Sequence, residues 1–259
     1  MYLCSMQKYG LIGKTLKHSF SQHYFESHHT GIQYSLYELP SLNNLRNWIW
    51  ETGVDGFNVT IPYKVSILPL LDHLTPQADA IGAVNCVKVV PDPSCKMGIR
   101  LIGHNTDAQA FLETFESFLK NGPQFPKKDM SAWILGNGGA SKAVSFALQQ
   151  LHLSHKILTH SEIDNLNNAQ SLNAIPAIVI NATPVGTHPH TSETPLPQLC
   201  DTNKFTVPEH WFCYDLIYNP EETKLLRDAA LMGASTHNGL QMLHRQAELS
   251  LDFWTTKNS

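Results

Sequence analysis

Charge is scarce in this 259-residue chain. Asp, Glu, Lys and Arg make up 15% of it and sum to a formal −4, so no basic stripe invites nucleic acid or an anionic membrane as partner. No apolar run approaches the length of a membrane span. The N-terminal Met1-Tyr2-Leu3-Cys4-Ser5-Met6-Gln7-Lys8 lacks the charged start and long apolar core of a secretory signal. Cysteine is sparse too. Cys4, Cys86, Cys95, Cys200 and Cys213 are scattered, odd in number and without a C-x-x-C, which predicts reduced thiols and a cytoplasmic setting rather than a disulfide framework. A hydrophobic fraction of 42% excludes a disordered chain, and the length suits one large domain or two small ones. Histidine is the surplus, at fourteen. Neither His28-His29 nor His188-Pro189-His190 has helical H-x-x-x-H spacing or acidic neighbours at ligand spacing, so no metal site is expected and solvated loop histidines explain them.

The most informative stretch is Ala132-Trp-Ile-Leu-Gly136-Asn137-Gly138-Gly139-Ala140-Ser141-Lys142-Ala143. It reads as a short buried strand, a glycine turn and a helix start. Gly136 permits a tight turn, Gly138 lets backbone N–H groups approach an anion with no Cβ in the way, and the helix turns its positive end toward that anion. A pyrophosphate is the usual guest of such a turn. The general fingerprint has Gly or Ala at its third position, where this chain has Ser141, and a plain strand–turn–helix is the alternative.

Before that stretch, residues 9–13 read as a strand ending in glycine, followed by Ser19 and Ser21, whose hydroxyls suit either a polyol or carboxylate ligand or the capping of the helix behind them. Residues 33–39 alternate like a strand and 42–50 have helical spacing. Residues 57–61 predict a strand with one polar face, ended by Pro62. Asn58, Thr60 and Lys64 then gather at a strand's C-terminal end, where open α/β sheets bind ligands. Lys64 in a first helical turn opposes the helix dipole, which makes a plain surface lysine there mildly unfavourable. Asn85 is an amide among apolar residues and must find a hydrogen-bond partner, in protein or ligand. Asp107, near a helix start, suits a cap or a partner for Lys64. After the glycine turn, 142–151 reads as a helix and 156–159 as a second strand. The residue past that strand reads a ribose, an acid for a 2′-hydroxyl or an arginine for a 2′-phosphate, and Thr159-His160-Ser161-Glu162 decides neither. Residues 177–186 and 213–220 are apolar strands ending in polar turns, 223–232 is helical with Gly233 behind it, and a last helix runs from 238 toward Trp254.

Together these stretches resemble the shikimate dehydrogenase family over nearly the whole chain. The matching motifs are Gly10-Leu-Ile-Gly13, His18-Ser-Phe-Ser21, Asn58-Val-Thr-Ile-Pro-Tyr-Lys64, Ile81-Gly-Ala-Val-Asn85, Asn105-Thr-Asp107, Gly136-Asn-Gly-Gly-Ala-Ser141, Asn181-Ala-Thr-Pro-Val-Gly186, Tyr214-Asp-Leu-Ile-Tyr-Asn-Pro220 and Asn238-Gly-Leu-Gln-Met-Leu243. The resemblance implies an α/β fold of two domains. Residues 1–104 with 240–259 form a substrate-binding domain, and 105–239 a shortened Rossmann-like domain for NADP. The active site lies in the cleft, and the C-terminal helix packs back on the first domain. The implied activity is reduction of 3-dehydroshikimate to shikimate with NADPH, on the route to aromatic amino acids, by a cytoplasmic monomer or homodimer that binds neither nucleic acid nor membrane. Lys64 is implied as acid/base with Asp107 completing a dyad. Ser19, Ser21, Thr60, Asn85, Tyr218 and Gln246 are implied to hold the substrate. Gly136, Asn137, Gly138, Gly139, Ala140, Ser141, Thr159, His160, Thr183, Gly239 and Met242 are implied to border the cofactor.

Three departures from the family pattern modify that expectation. Gln22 replaces the usual proline after the second serine, which alters a turn but keeps both hydroxyls. Thr159-His160-Ser161 replaces Asn/Ser-Arg-Thr, so the stacking and clamping guanidinium is gone and a histidine serves only when protonated. About twenty residues separate Thr159 from Asn181, fewer than the family has, so a helix or strand of the cofactor domain is expected to be missing or shortened. The expectation is looser NADP binding, with NAD as the alternative cofactor. A quinate/shikimate dehydrogenase favouring NAD and a non-catalytic shikimate-binding paralogue are the competing readings.

Overall fold

The alternation of β1 (Gln7–Gly13) shows why the first sheet is covered on both faces: Tyr9 and Leu11 enter one apolar cluster while Ile12 enters another. The computed structural model describes residues 6–16, 20–122, 130–169 and 173–256. It divides into two units, Met1–Thr106 with His244–Ser259, and Asp107–Leu243.

In the first unit β1 is followed by α1 (Ser21–His28), β2 (Ile32–Glu38), α2 (Leu45–Thr52) and β3 (Gly56–Val59). Helical crossovers make β2, β1 and β3 parallel neighbours. After α3 (Tyr63–Ser66), β4 (His73–Leu74) and α4 (Pro76–Ile81), a hairpin joins β5 (Cys86–Pro91) to β6 (Ile99–His104), so β5 runs antiparallel to both β3 and β6, while the edge strand β4 pairs with β6 in parallel. The strand order is β2-β1-β3-β5-β6-β4. Leu45 and Ile49 of α2 pack with Ile12, Phe57, Val59 and Val87 on one face. Phe25 of α1 packs with Tyr9, Leu11, Tyr34 and Cys86 on the other.

Two local expectations change. The strand predicted over 57–61 stops at Val59, and all its residues are buried, Asn58 included. It runs between β1 and β5 with both faces covered, so there is no solvent-facing polar side. The helix carrying Lys64 is a single turn of four residues, too short for a macrodipole, so the dipole argument for that lysine falls.

The second unit is α5 (Asp107–Asn121), β7 (Ser131–Leu135), α6 (Gly139–Gln150), β8 (Ser154–Leu158), α7 (His160–Asn168), β9 (Asn173–Ala174), β10 (Ile178–Asn181), β11 (Phe205–Thr206), β12 (Trp211–Asp215), α8 (Lys224–Leu231) and β13 (Ala234–His237). Its five main strands are all parallel, in the order β13-β12-β10-β7-β8. β10 and β12 are buried along their whole length, as inner strands of a parallel sheet must be. β8 is the edge of this sheet among the described residues. β9, the next strand in the chain, pairs with β11 in a separate ribbon, because so short a connection leaves little room for another crossover unit.

α9 (Leu240–Thr255) closes the chain. From His244 on it belongs to the first unit, where Trp254 stacks on Tyr9 with centroids 4.2 Å apart and donates its ring N–H to the Val87 carbonyl at 2.9 Å. A Cβ on Gly56 would lie 2.6 Å from that indole, so the glycine is what admits it. Among the described residues no helix is long and apolar enough to cross a membrane. Trp254→Ala is expected to lower stability by about 3–5 kcal/mol, read by urea unfolding; a loss of less than about 1 kcal/mol would show that α9 is not anchored there.

Candidate active site

In the first unit Thr60 follows β3, Lys64 lies on α3, Asn85 precedes β5 and Gln246 lies on α9. Backbone bonds fix the first three together. Thr60 donates its N–H to the Ile12 carbonyl at 3.0 Å, Val59 to the Asn85 carbonyl at 2.8 Å, and Val84 to the Lys64 carbonyl at 2.8 Å. Side chains complete the frame. Asn85 Oδ1 accepts the Thr106 N–H at 2.7 Å, and its amide donates to Thr106 Oγ1 at 2.8 Å and to Gln246 Oε1 at 3.5 Å. The Asn58 amide donates to the Asn85 carbonyl at 3.2 Å and to Ser250 Oγ at 2.8 Å, and its Oδ1 accepts from Tyr34 at 2.8 Å. Ser250 in turn donates to the Gln246 carbonyl at 2.7 Å. Asn58, Asn85, Thr106 and Ser250 are all buried. The result is a neutral frame of amides and hydroxyls, a donor and acceptor set of the kind that suits a polyhydroxylated acid.

Ser21 is the buried first residue of α1. The N-cap is Phe20 and makes no side-chain cap bond, so Ser21 does not act as the cap. Ser19 lies outside the described residues. Asp107 is buried at the first position of α5, and Tyr218 is half-buried in the turn after β12.

In the second unit the chain reverses its direction of winding between β7 and β10, the switch point at which doubly wound sheets bind ligands. Gly136 has φ +98° and Gly186 φ +101°, so each occupies backbone space that favours glycine. The Gly136 N–H donates to the Leu158 carbonyl at 2.8 Å. A Cβ on Gly136 would lie 2.9 Å from the Thr183 methyl. The glycine turn, the end of β8 and Thr183 are therefore adjacent. A Cβ on Gly138 would meet nothing within 4 Å, so its backbone faces open space at the start of α6. The Ser141 hydroxyl is wholly buried and has no hydrogen-bond partner among the described residues. Gly239 is packed against β12's exit: a Cβ there would sit 2.0 Å from the Leu216 carbonyl oxygen. An open glycine cradle at a helix start beside a switch point fits the pyrophosphate of a dinucleotide.

Thr159 and His160 do not stand ready as bare ribose readers. Thr159 is the N-cap of α7 in a capping box with Glu162, and His160 pairs with Asp164 at 2.7 Å. The Thr-x-x-Glu spacing is legible in sequence and locates the start of α7. Asp215 enters the sequence reading only as part of a motif. It is buried, and its carboxylate accepts from Thr223 Oγ1 at 2.7 Å, the Ile217 N–H at 3.0 Å and the Asn181 amide at 3.0 Å. Asn181 Oδ1 in turn accepts the Thr183 N–H at 3.0 Å and hydroxyl at 2.7 Å. The sequence signal for Asp215 is an acid at the end of an otherwise apolar strand.

Five parallel strands in this order with a glycine turn at the switch point define the second unit as a doubly wound fold of the dinucleotide-binding class. Comparison with known proteins narrows the class. Residues 11–87 match the shikimate dehydrogenase substrate binding domain. The shikimate dehydrogenase (NADP(+)) of Bacillus cereus strain B4264 is 34% identical over 96% of this chain and 92% of its own length. The crystal structure of shikimate dehydrogenase 1 from Peptoclostridium difficile superposes with a TM-score of 0.79 at 30% identity, covering 98% of this chain and 94% of that one. The shikimate 5-dehydrogenase of Thermus thermophilus, solved in complex with NADP(H) and shikimate, gives a TM-score of 0.74 at 30% identity, covering 96% of this chain and 94% of that one. The chain belongs to the shikimate dehydrogenase family.

Burial pushes the Asp215 carboxyl up to about 6 from its ordinary 3.8, against the three hydrogen bonds that lower it. Between those values the folded state holds a proton that the unfolded state has released. Stability therefore falls as pH rises through that window, by about 3 kcal/mol, and is flat in this respect above it. Asp215→Asn is expected to remove that component from urea unfolding measured as a function of pH; an unchanged slope in the variant would assign it to other groups.

Proposed function

We propose that this chain catalyses the reversible NADPH-linked reduction of 3-dehydroshikimate to shikimate. The observation that carries the reading is the convergence of Thr60, Lys64, Asn85 and Gln246 on one frame within the unit that matches a shikimate dehydrogenase substrate-binding domain. The relatives named above support it. In this reading the first unit holds substrate and the second holds NADP.

Lys64 Nζ gives a proton to the carbonyl oxygen as reduction proceeds and takes it back in the reverse direction. Its positive charge stabilises the oxygen as negative charge develops there. Asp107 serves as its carboxylate partner. Thr60, Asn85 and Gln246, with Ser19, Ser21 and Tyr218, hold the hydroxyls and carboxylate. Preset hydrogen bonding orients the ring without the entropy loss of ordering these side chains at each turnover. Gly136 through Ser141, with Thr159, His160, Thr183, Gly239 and Met242, would hold the cofactor, which supplies or accepts the hydride when bound. The reading carries with it small-molecule ligands only, a monomer or homodimer and a cytoplasmic setting.

The test is oxidation of shikimate followed by nicotinamide absorbance, with NADP and then NAD. Lys64→Ala is expected to lower kcat by about 10²–10⁴-fold with a much smaller change in KM; near-normal kcat would remove the lysine from the chemistry. Turnover of quinate with NAD in preference would move the substrate assignment. Shikimate binding with no turnover on either cofactor would make the chain a binder and not an enzyme.

A further inference from the structure

In doubly wound folds the end of the second strand reads the 2′ position of the adenosine ribose, with a carboxylate for the hydroxyl and an arginine for the phosphate. Here that place is the end of β8, stitched to the glycine turn by the Gly136 to Leu158 bond. Its charge balance is unusual for a phosphate reader. The two cationic or titratable basic groups there are Lys156 and His160, and α7 supplies a carboxylate to each. Lys156 Nζ lies 3.1 Å from Glu162 Oε1, and His160 Nδ1 lies 2.7 Å from Asp164 Oδ2. Glu162 Oε2 is held in turn by the Thr159 N–H and hydroxyl, each at 2.9 Å. Those hydrogen bonds and Lys156 bring the Glu162 carboxyl down to about 2, so it is ionised at any physiological pH. His160 is charged only when protonated, which leaves the cluster neutral or negative.

No other cation reaches this place from the following chain. No Lys or Arg occurs between Lys156 and Lys204, and Lys204 donates to the Ala169 carbonyl at the far end of α7. β8 is the sheet edge among the described residues, so no outer strand contributes a guanidinium. From β8 and α7, among the described residues, a 2′-phosphate brought to this site meets two carboxylates against Lys156 and His160 and no net positive charge. A 2′-hydroxyl meets hydrogen-bond acceptors and loses nothing.

We propose that the first two turns of α7 set the cofactor choice of this chain: Glu162 and Asp164 cancel Lys156 and His160, so NAD and NADP bind with similar affinity. The inference rests on the second unit being the dinucleotide-binding one. Glu162 and Asp164 act here through their neighbours' charge and are specificity residues, outside the chemistry.

The measurement is calorimetric titration of the whole chain with NADP and with NAD, at low salt and at physiological salt. The variants are Glu162→Gln, which keeps the capping box because glutamine serves at that position, and Asp164→Asn. The wild type is expected to bind the two cofactors within about tenfold of each other. Each variant should tighten NADP by about two- to fivefold, the worth of one exposed charge. NAD should stay within about twofold, and the NADP gain should shrink as salt screens it. A wild-type preference for NADP of about a hundredfold or more, the scale of a dedicated guanidinium–phosphate contact, would overturn the inference alone, as would equal gains on NAD. Failure to bind either nucleotide, with no oxidation of shikimate, would overturn the functional reading and the inference with it.

Discussion

A buried amide has to be satisfied from within the protein, and the amides of the first unit are satisfied from four parts of the chain at once. Asn85 is held by Thr106 and Gln246, and Asn58 by Tyr34 and Ser250. Leaving one such group without a partner costs about 1–3 kcal/mol, so the network behaves as a unit. It binds the last helix, more than a hundred residues downstream, into the sheet made by the first hundred. It also bears on the positions of Thr60, Lys64 and Gln246: Gln246 is a member, Thr60 lies two residues beyond Asn58, and the Lys64 carbonyl accepts the N–H of Val84, the neighbour of Asn85. Substrate recognition in this reading is a by-product of how the sheet holds its last helix.

The second unit relies on backbone more than on side chains. Gly136 bonds back to Leu158, Gly239 lies against Leu216, and Asn181 passes the buried charge of Asp215 on to Thr183. Glycine at these places is dictated by neighbours that a Cβ would strike, and Asp215 by the three donors that surround it. The centre of the sheet is therefore tightly specified. Its edge is not. β8 has a neighbour on one side only, and α7 rests on it with an exposed first turn. An edge of this kind tolerates a change of charge without disturbing the strands that carry the glycine turn.

Strand and helix identities along most of the chain are legible from alternation and from glycine and proline punctuation, because these report on a residue's near neighbours. The motif residues are legible for the same reason: the glycine turn and the Asn-x-Thr-x-Pro-x-Lys stretch are each contained in one covalent segment. α7 is legible only through the pairing of Thr159 with Glu162, a signal of two residues that its weak apolar pattern does not reinforce. β13, Ala-Ser-Thr-His, has no apolar alternation to betray it. Its strand character comes from pairing with β12.

By itself the sequence determined the local shape that each candidate residue is built into, since a turn that needs glycine and a helix that needs a cap state those needs within a few residues. Only the tertiary structure decided that the polar strand residue Asn58 is enclosed and not solvated, that Asp215 is buried to the point of a raised carboxyl, and that Glu162 and Asp164 cancel the basic groups at the end of β8. These depend on which distant segments come into contact. Burial and charge pairing are properties of neighbours in space, and no spacing along a single chain records them.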